Sequence, residues 1–438
     1  MQKRLILVSN RVSVPGSPIR AGGLEVVLAP IVNKVPTVWF GWSGNISDEN
    51  NIQTITKNNS NYVTMDLSQT EYEEYYNGFA NQVIWPLFHY RNDLTEFKRH
   101  ELQSYYRVNV KFADELLKII NNDDIIWVHD YHLIPLAHIL RQRGIKNKIG
   151  YFHHIPFPVA EVVEMMPAHK EVITCLLEYD LIGFQTGTDA TNFRRYLDMI
   201  HMLCDSVIGV FPVSIDVNMK FNGKSLLNTY DRKVIIGVDR LDYTKGLLRR
   251  MKAFELFYET NKDWHDKVTY IQIAPPSRTH ITEYKNLSRN LSHLVGEINS
   301  KHGDISGNVV RYTHKSYSRS NLIKIYREAH VGLVTPLRDG MNLVAKEYVV
   351  AQRSIDPGVL VLSKFAGAAF ELKGSVMVNP YDIDAVAAAI KQALEMPLEE
   401  RLNRHEQNMS AILNNCGDMW AEKFLKELER AAGIEPAT

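Results

Sequence analysis

Cysteine is nearly missing from this chain: three in 438 residues, Cys175, Cys204 and Cys416, scattered and odd in number. That excludes a disulfide framework and a cysteine-built metal site, and a reducing compartment, the cytoplasm, is the expected location. Net charge is missing too, since Lys plus Arg and Asp plus Glu both number 50. A balanced chain carries no electrostatic footprint for nucleic acid or an anionic membrane surface, so neither is expected as a partner. No apolar run approaches the length of a membrane span. The opening MQKRLILVSNR is basic and then apolar, like a secretory signal, but Ser9, Asn10 and Arg11 end the run after four residues. It reads as a first strand. Internal repeats and low-complexity tracts are absent, and no histidine pair has the spacing of a metal site on one helix, so no metal and no cofactor are expected.

What is present is ordinary globular material, 45% hydrophobic and 23% charged, in a chain too long for one core. Two domains are therefore expected. The stretch 331–349, VGLVTPLRDGMNLVAKEYV, reads as a buried strand at 331–334, a turn broken by Pro336 and Gly340, and a helix from Met341, with Asn342 near its start. A strand–turn–helix of this kind aims free backbone N–H groups and a positive dipole end at a ligand beyond the strand, and phosphate is the natural guest. Asp339 and Glu347 flank that position, and carboxylates suit sugar hydroxyls, so the pattern fits a nucleotide sugar. An ordinary βα turn with surface acids would show the same residues. The stretch 234–246, VIIGVDRLDYTKG, adds Arg240 and Lys245 just past another strand, two cations suited to a diphosphate.

From the start of the chain, a strand at 4–8 ends in Ser9-Asn10-Arg11, and Gly22-Gly23 precede a helical pattern at 24–31. This is a second candidate anion site or a plain turn. Residues 71–92 are dense in aromatics, including Tyr76 and Trp85, which fit either a helix-pair core or the apolar face of a sugar. Strands at 125–128 and 148–152 end in His129-Asp130-Tyr131-His132 and His153-His154. Successive strands ending in such clusters follow the open α/β sheet, whose ligands gather at the carboxyl ends. Asp130 within reach of a hydroxyl could orient or deprotonate it. Polar residues 214–233 read as a linker, and strands at 234–239, 270–273, 309–313, 331–334, 359–362 and 375–378 then alternate with helices at 247–260, 281–301, 320–329, 383–395, 398–413 and 418–432. Alternation throughout predicts parallel sheets and two doubly wound domains.

SNR near residue 10, GG at 22–23, FGWSG at 40–44, YYNGFANQVIWPLFHY at 75–90, HDYHL at 129–133, HHIPFP at 153–158, DRLDYTKG at 239–246 and LRDGMNLVAKEYV at 337–349 resemble, in order, the trehalose-6-phosphate synthases, retaining glycosyltransferases of family 20. The resemblance implies a GT-B fold, α/β, with two doubly wound Rossmann-like domains facing each other across a cleft. The expected division is residues 1–220, binding the acceptor, and 221–417, binding the nucleotide sugar, with a helix at 418–438 packing back on the first. It implies a metal-independent transfer of glucose from a nucleotide-glucose, UDP-glucose before GDP-glucose, to glucose 6-phosphate. Arg11, Tyr76, Trp85, Asp130 and Arg278 are the implied acceptor pocket, with Arg11 and Arg278 on the phosphate. Gly23, His154, Arg240, Lys245, Asp339, Met341, Asn342, Leu343 and Glu347 are the implied donor site, and Asp130, His154, Arg240 and Lys245 the catalytic set. No protein nucleophile stands where one would be needed, which agrees with front-face attack by the acceptor hydroxyl, its proton passing to a leaving phosphate oxygen. A homo-oligomer, dimer or tetramer, is expected. The linker at 214–233 is shorter than is typical of the family, and the loop after Arg11 carries Pro15 and Pro18 beside the acceptor position. A relative with another acceptor, such as a glucosylglycerol-phosphate synthase or a pseudo-glycosyltransferase, is the alternative. A silent regulatory subunit is disfavoured because Arg240, Lys245 and His154 are all present.

Overall fold

The computed structural model describes residues 3–14, 27–28, 31–32, 34–49, 51–218, 226–227, 232–305 and 307–431. Gly22, Gly23, Pro15, Pro18 and most of the polar stretch after residue 218 lie outside them. The chain divides into two compact units, one of Met1–Val213 with Gly417–Thr438, the other of Ser214–Cys416.

The first unit carries eight strands: β1 Leu5–Arg11, β2 Thr37–Ile46, β3 Ile52–Lys57, β4 Ser60–Leu67, β5 Ile125–His129, β6 Ile149–His153, β7 Leu181–Phe184 and β8 Val207–Val210. Their order is β3-β4-β2-β1-β5-β6-β7-β8. The short apolar runs read as strands are buried along their length at β5 and β6, and β7 is buried likewise, as parallel strands covered on both faces must be. The exception to parallel pairing is β3, which runs antiparallel to β4. An all-parallel reading missed it because β3 is exposed throughout and has no apolar face. The Asn58-Asn59 turn, with φ of 50° and 62°, makes the hairpin.

The helix Gly417–Arg430 lies on this sheet, not on its sequence neighbours. Phe424 stacks on Trp127 with ring centroids 4.5 Å apart, and the Trp420 indole N–H donates to the Phe211 carbonyl. A methyl group on Gly150 or Gly183 would come within 2.8 or 2.7 Å of the Phe424 ring, so those strand glycines form the floor on which the helix rests.

The second unit holds six parallel strands: β9 Lys233–Val238, β10 Val268–Ile273, β11 Val310–Thr313, β12 Val331–Val334, β13 Val359–Ser363 and β14 Val376–Val378, ordered β11-β10-β9-β12-β13-β14. Two buried clusters cover its faces, one around Phe254, Leu291 and Ile390, the other around Ile236, Tyr348 and Leu360. Helices Leu247–Thr260, Ile383–Glu395 and Leu398–Leu413 have the bounds that their apolar periodicity predicts. In both sheets the strand order reverses beside the first strand, between β1 and β5 and between β9 and β12. Loops leave a doubly wound sheet in opposite directions there, opening a crevice at the carboxyl ends. Among the described residues, no helix is long and apolar enough to cross a membrane.

Candidate active site

At the reversal in the second unit, β9 runs out into Asp239, Arg240 and Asp242, and a single turn, Tyr243–Lys245, follows. Asp242 caps it, taking the Thr244 N–H at 3.0 Å, and left-handed Gly246 (φ 68°) starts the helix Leu247–Thr260. A side chain at 246 would meet the Thr335 carbonyl at 2.6 Å, so glycine lets the β9 and β12 loops close on each other. The result is an ion pair between Lys245 and Asp339, Nζ to Oδ2 at 2.5 Å. Asn342 donates to the same carboxylate oxygen at 3.1 Å, and its own Oδ1 caps Ala345 N–H at the start of the helix Leu343–Ala351. The Leu343 and Val344 N–H groups, in the first turn, have no partner within the helix. Arg240, Lys245, Asp339, Met341, Asn342 and Leu343 thus stand on the two loops that flank this reversal.

Beneath them Arg250, fully buried, ties the loops together. It contacts Asp239 at 2.7 Å, the Lys245 carbonyl at 3.1 Å and Thr335 Oγ1 at 2.9 Å. Burial raises the Asp239 carboxyl above its ordinary value, an effect Arg250 and Lys245 offset only in part. One turn into the helix, Glu347 is buried and paired with Arg319 at 3.1 Å; its burial raises it and Arg319 opposes the shift. Arg250 and Arg319 carried no signal in the sequence. Each reads there as one cation on an amphipathic helix, and only the fold shows what it meets.

In the first unit the reversal brings together the ends of β1 and β5, with β2 and β6 alongside. Arg11 ends β1, its guanidinium 5.7 Å from the centre of the Trp42 ring. Gly44 (φ 91°) lies so close that a Cβ there would come 2.2 Å from Arg11 Nη2, which explains the glycine in FGWSG. Asp130 follows β5 with φ 75° and ψ 166°, a backbone region almost confined to glycine that costs about 1–3 kcal/mol. Neighbouring bonds impose it: Asp130 N–H donates to the Phe152 carbonyl, and Leu133 N–H to the Asp130 carbonyl. The carboxylate, partly exposed, accepts from His154 N–H at 3.3 Å.

His154 Nε2 and His129 Nδ1 are 3.1 Å apart. Burial first, and the neighbouring His153 second, push His154 down to about 3; burial first, and His154 second, push His129 well below the ordinary histidine value. Both rings are therefore neutral at pH 7, one sharing its proton with the other.

Tyr76 and Trp85 reach the same region by an unusual route. Residues Tyr72–Ile84 are wound as a π-helix, and Trp85 N–H bonds to the Ala80 carbonyl five residues back. Nine residues are two and a half turns of an α-helix, which would set the two rings on opposite sides, but roughly two turns of this wider helix. Tyr76 accordingly stacks on His132 (5.8 Å), Trp85 lies 5.9 Å from Tyr131, and Tyr131 and His132 are neighbours at 4.0 Å. The aromatic run belongs both to the core, through Tyr75 and Phe79, and to the β5 exit.

Arg278 follows β10 in left-handed backbone (φ 49°), its side chain buried against Tyr284 and Asp242. Gly23 lies outside the described residues. Among the described residues, the group of metal-type donors is Glu255, Glu259 and His302, where Lys301 already meets both carboxylates. It lies at the ends of helices Leu247–Thr260 and Thr282–His302, away from the strand ends that carry the cations.

The profile of glycosyltransferase family 20 matches residues 17–430. The trehalose-6-phosphate synthase of Enterobacter sp. (strain 638) is 42% identical over 457 residues, covering 98% of this chain and 95% of its own. A UDP-forming alpha,alpha-trehalose-phosphate synthase from Burkholderia xenovorans, solved in complex with glucose-6-phosphate, aligns with a TM-score of 0.94 at 40% identity, covering 97% of this chain and 100% of the other. A structure from E. coli bound with UDP-2-fluoro glucose aligns with a TM-score of 0.94 at 41% identity, covering 99% and 100%.

Proposed function

Because this chain belongs to glycosyltransferase family 20, we propose that it transfers glucose with retention from UDP-glucose to glucose 6-phosphate, giving trehalose 6-phosphate and UDP. The observation that carries this is the pairing of two cations after β9 with a helix N-terminus and a carboxylate after β12, at the strand-order reversal. Arg240 and Lys245 take the diphosphate, and the first N–H groups of the helix Leu343–Ala351 share its charge. Before the donor arrives, Asp339 holds Lys245; the diphosphate replaces it, and Asp339 turns to the sugar hydroxyls. Glu347, kept in place by Arg319, accepts from the ribose hydroxyls.

Tyr76 and Trp85 cover the acceptor sugar, Arg11 and Arg278 hold its phosphate, and Asp130 and neutral His154 orient hydroxyls. The acceptor hydroxyl attacks from the face the diphosphate leaves, and a phosphate oxygen takes its proton. Catalysis then rests on positioning and on fixed charge at the leaving group.

The test is to incubate the protein with glucose 6-phosphate and UDP-glucose or GDP-glucose, with a chelator present. Trehalose 6-phosphate and UDP are expected. Donor binding without transfer would reject the acceptor, and an absolute metal requirement would reject the two-cation account.

A further inference from the structure

Asp242 belongs to the strand-end motif after β9, and as a cap it needs one oxygen. It uses both. Asp242 is fully buried. Its Oδ1 accepts from Thr244 N–H at 3.0 Å and Thr244 Oγ1 at 2.9 Å, which fixes the turn that ends in Lys245. Its Oδ2 accepts from the Tyr284 hydroxyl at 3.1 Å, and that hydroxyl accepts from Arg278 Nη1 at 2.6 Å. Arg278 Nη1 itself stands 3.6 Å from Oδ2. Each proton has one direction in this relay: guanidinium to phenol, phenol to carboxylate. Burial alone would raise the Asp242 carboxyl, but Arg278, Arg240 and Lys245 together hold it below the ordinary value.

We propose that Asp242 is a positioning residue that sets two phosphate-binding cations at once: Lys245 through Oδ1 and Thr244, and Arg278 through Oδ2 and Tyr284. The proposal rests on the donor and acceptor roles given above to Lys245 and Arg278. A cap alone would account for the Thr244 bonds and leave the buried Tyr284–Arg278 relay without purpose. Left-handed Arg278 is held at the end of β10 while Lys245 is held after β9, neighbouring strands of one sheet. A single carboxylate between them fixes the spacing of the two cations, and with it the distance between acceptor phosphate and leaving diphosphate that the transfer requires.

The two arms separate by mutation. Tyr284→Phe removes one hydroxyl and keeps the ring and the Asp242 charge. It is expected to weaken glucose 6-phosphate binding roughly five- to tenfold, the effect of one ordinary hydrogen bond, with UDP binding unchanged. Thr244→Val removes the other hydroxyl and is expected to weaken UDP and lower turnover by a similar factor, with glucose 6-phosphate unchanged. Asp242→Asn, the same shape without the charge, should show both losses.

Dissociation constants for UDP and for glucose 6-phosphate are measured separately by calorimetry, so the readout does not depend on product forming. Opposite selectivity of Tyr284→Phe and Thr244→Val supports the proposal. Equal effects on both ligands, or a fall in melting temperature with both constants unchanged, would overturn it. If glucose 6-phosphate does not bind the unmutated protein at all, it is the proposed acceptor that fails, a result visible before any variant is made.

Discussion

Past the strand ends of the second unit the polar groups are ionic and tied to one another; past those of the first they are mostly neutral and stacked. In the second unit Lys245 meets Asp339, Arg250 meets Asp239, Arg319 meets Glu347 and Arg278 meets Asp242. In the first, His129 shares a proton with a neutral His154, and Tyr76, His132, Tyr131 and Trp85 form a run of ring contacts. Arg11 and Asp130 are two ionic exceptions. The two halves of the proposed reaction call for this difference. A diphosphate carries charge that grows as it leaves, and fixed ions answer it without reorganising. A pyranose carries hydroxyls and apolar faces, which neutral donors and aromatic planes match. In the proposed reaction, preformed ion pairs such as Lys245–Asp339 also hold long cationic side chains in place until the ligand exchanges for the partner carboxylate.

The largest expected effect tests the ionic side. Arg240→Ala should lower turnover by about 10²–10³-fold, on the order of 3–4 kcal/mol, because it removes a charge at the leaving group. Steady-state rates at saturating substrates read it; turnover near that of the unmutated enzyme would remove Arg240 from the mechanism.

The next tests the neutral side by pH. A histidine held uncharged in the fold, with its value depressed from 6.5 to about 3, stabilises fully above pH 6.5. It loses that contribution as pH falls from 6.5 toward 3. His153 and His154 behave so, and His129 shifts in the same direction, whereas the second unit has His330, pushed down by burial to about 4, and His405, also lowered by burial but carried on the helix Leu398–Leu413 rather than on a strand. Each such group costs about 1.4 kcal/mol per pH unit below 6.5. Between pH 7 and 5, hydrogen-exchange protection should therefore fall more steeply in β5 and β6 than in β9 and β12. Equal slopes would show that the histidines are charged or relaxed in the fold.

A smaller effect probes an ionic exception. Gly44→Ala places a methyl group against Arg11 on a backbone with φ of 91°. The Michaelis constant for glucose 6-phosphate should rise about tenfold, the loss of one charge-assisted contact, while UDP affinity stays constant. An unchanged constant would detach Arg11 from the acceptor. The smallest concerns a single phenol: Tyr76→Phe keeps the stack on His132 and drops one hydroxyl, so acceptor affinity should fall by a factor of about five. A larger loss would mean that the ring stack itself depends on that hydroxyl.

The parts of the fold legible beforehand were those in which local pattern and burial agree. Buried apolar runs gave the parallel strands other than β4 Ser60–Leu67, and amphipathic periods gave the long helices of the second unit to within a residue or two, while the helices Arg99–Leu116 and Gly187–Met199 of the first were not read. β3 was not legible, because an edge strand exposed on both faces has no hydrophobic alternation to read. The cations after β9 and the strand–turn–helix after β12 stood out because a strand end, a glycine and a charge lie within ten residues. Arg250, Arg319 and the two-sided use of Asp242 did not, because the side-chain partners that give them their roles lie 11 to 85, 28 and 42 residues away. The winding of Tyr72–Ile84 was not legible either, since its aromatic density suits an α-helix as well.

By itself, then, the sequence determined two doubly wound sheets, the chain positions where the proposed ligand-binding groups emerge, and the family. These follow from short-range periodicity and from motifs whose members are neighbours in the chain. Only the tertiary structure decided how those groups are held. It gave Asp130 a strained backbone, turned Tyr76 and Trp85 to one side of a π-helix, and kept His129 and His154 neutral by desolvating their rings. It also placed a carboxylate between two cations. Each of these depends on desolvation, strain or a partner distant in sequence, and none of those is a property of a residue's neighbours along the chain.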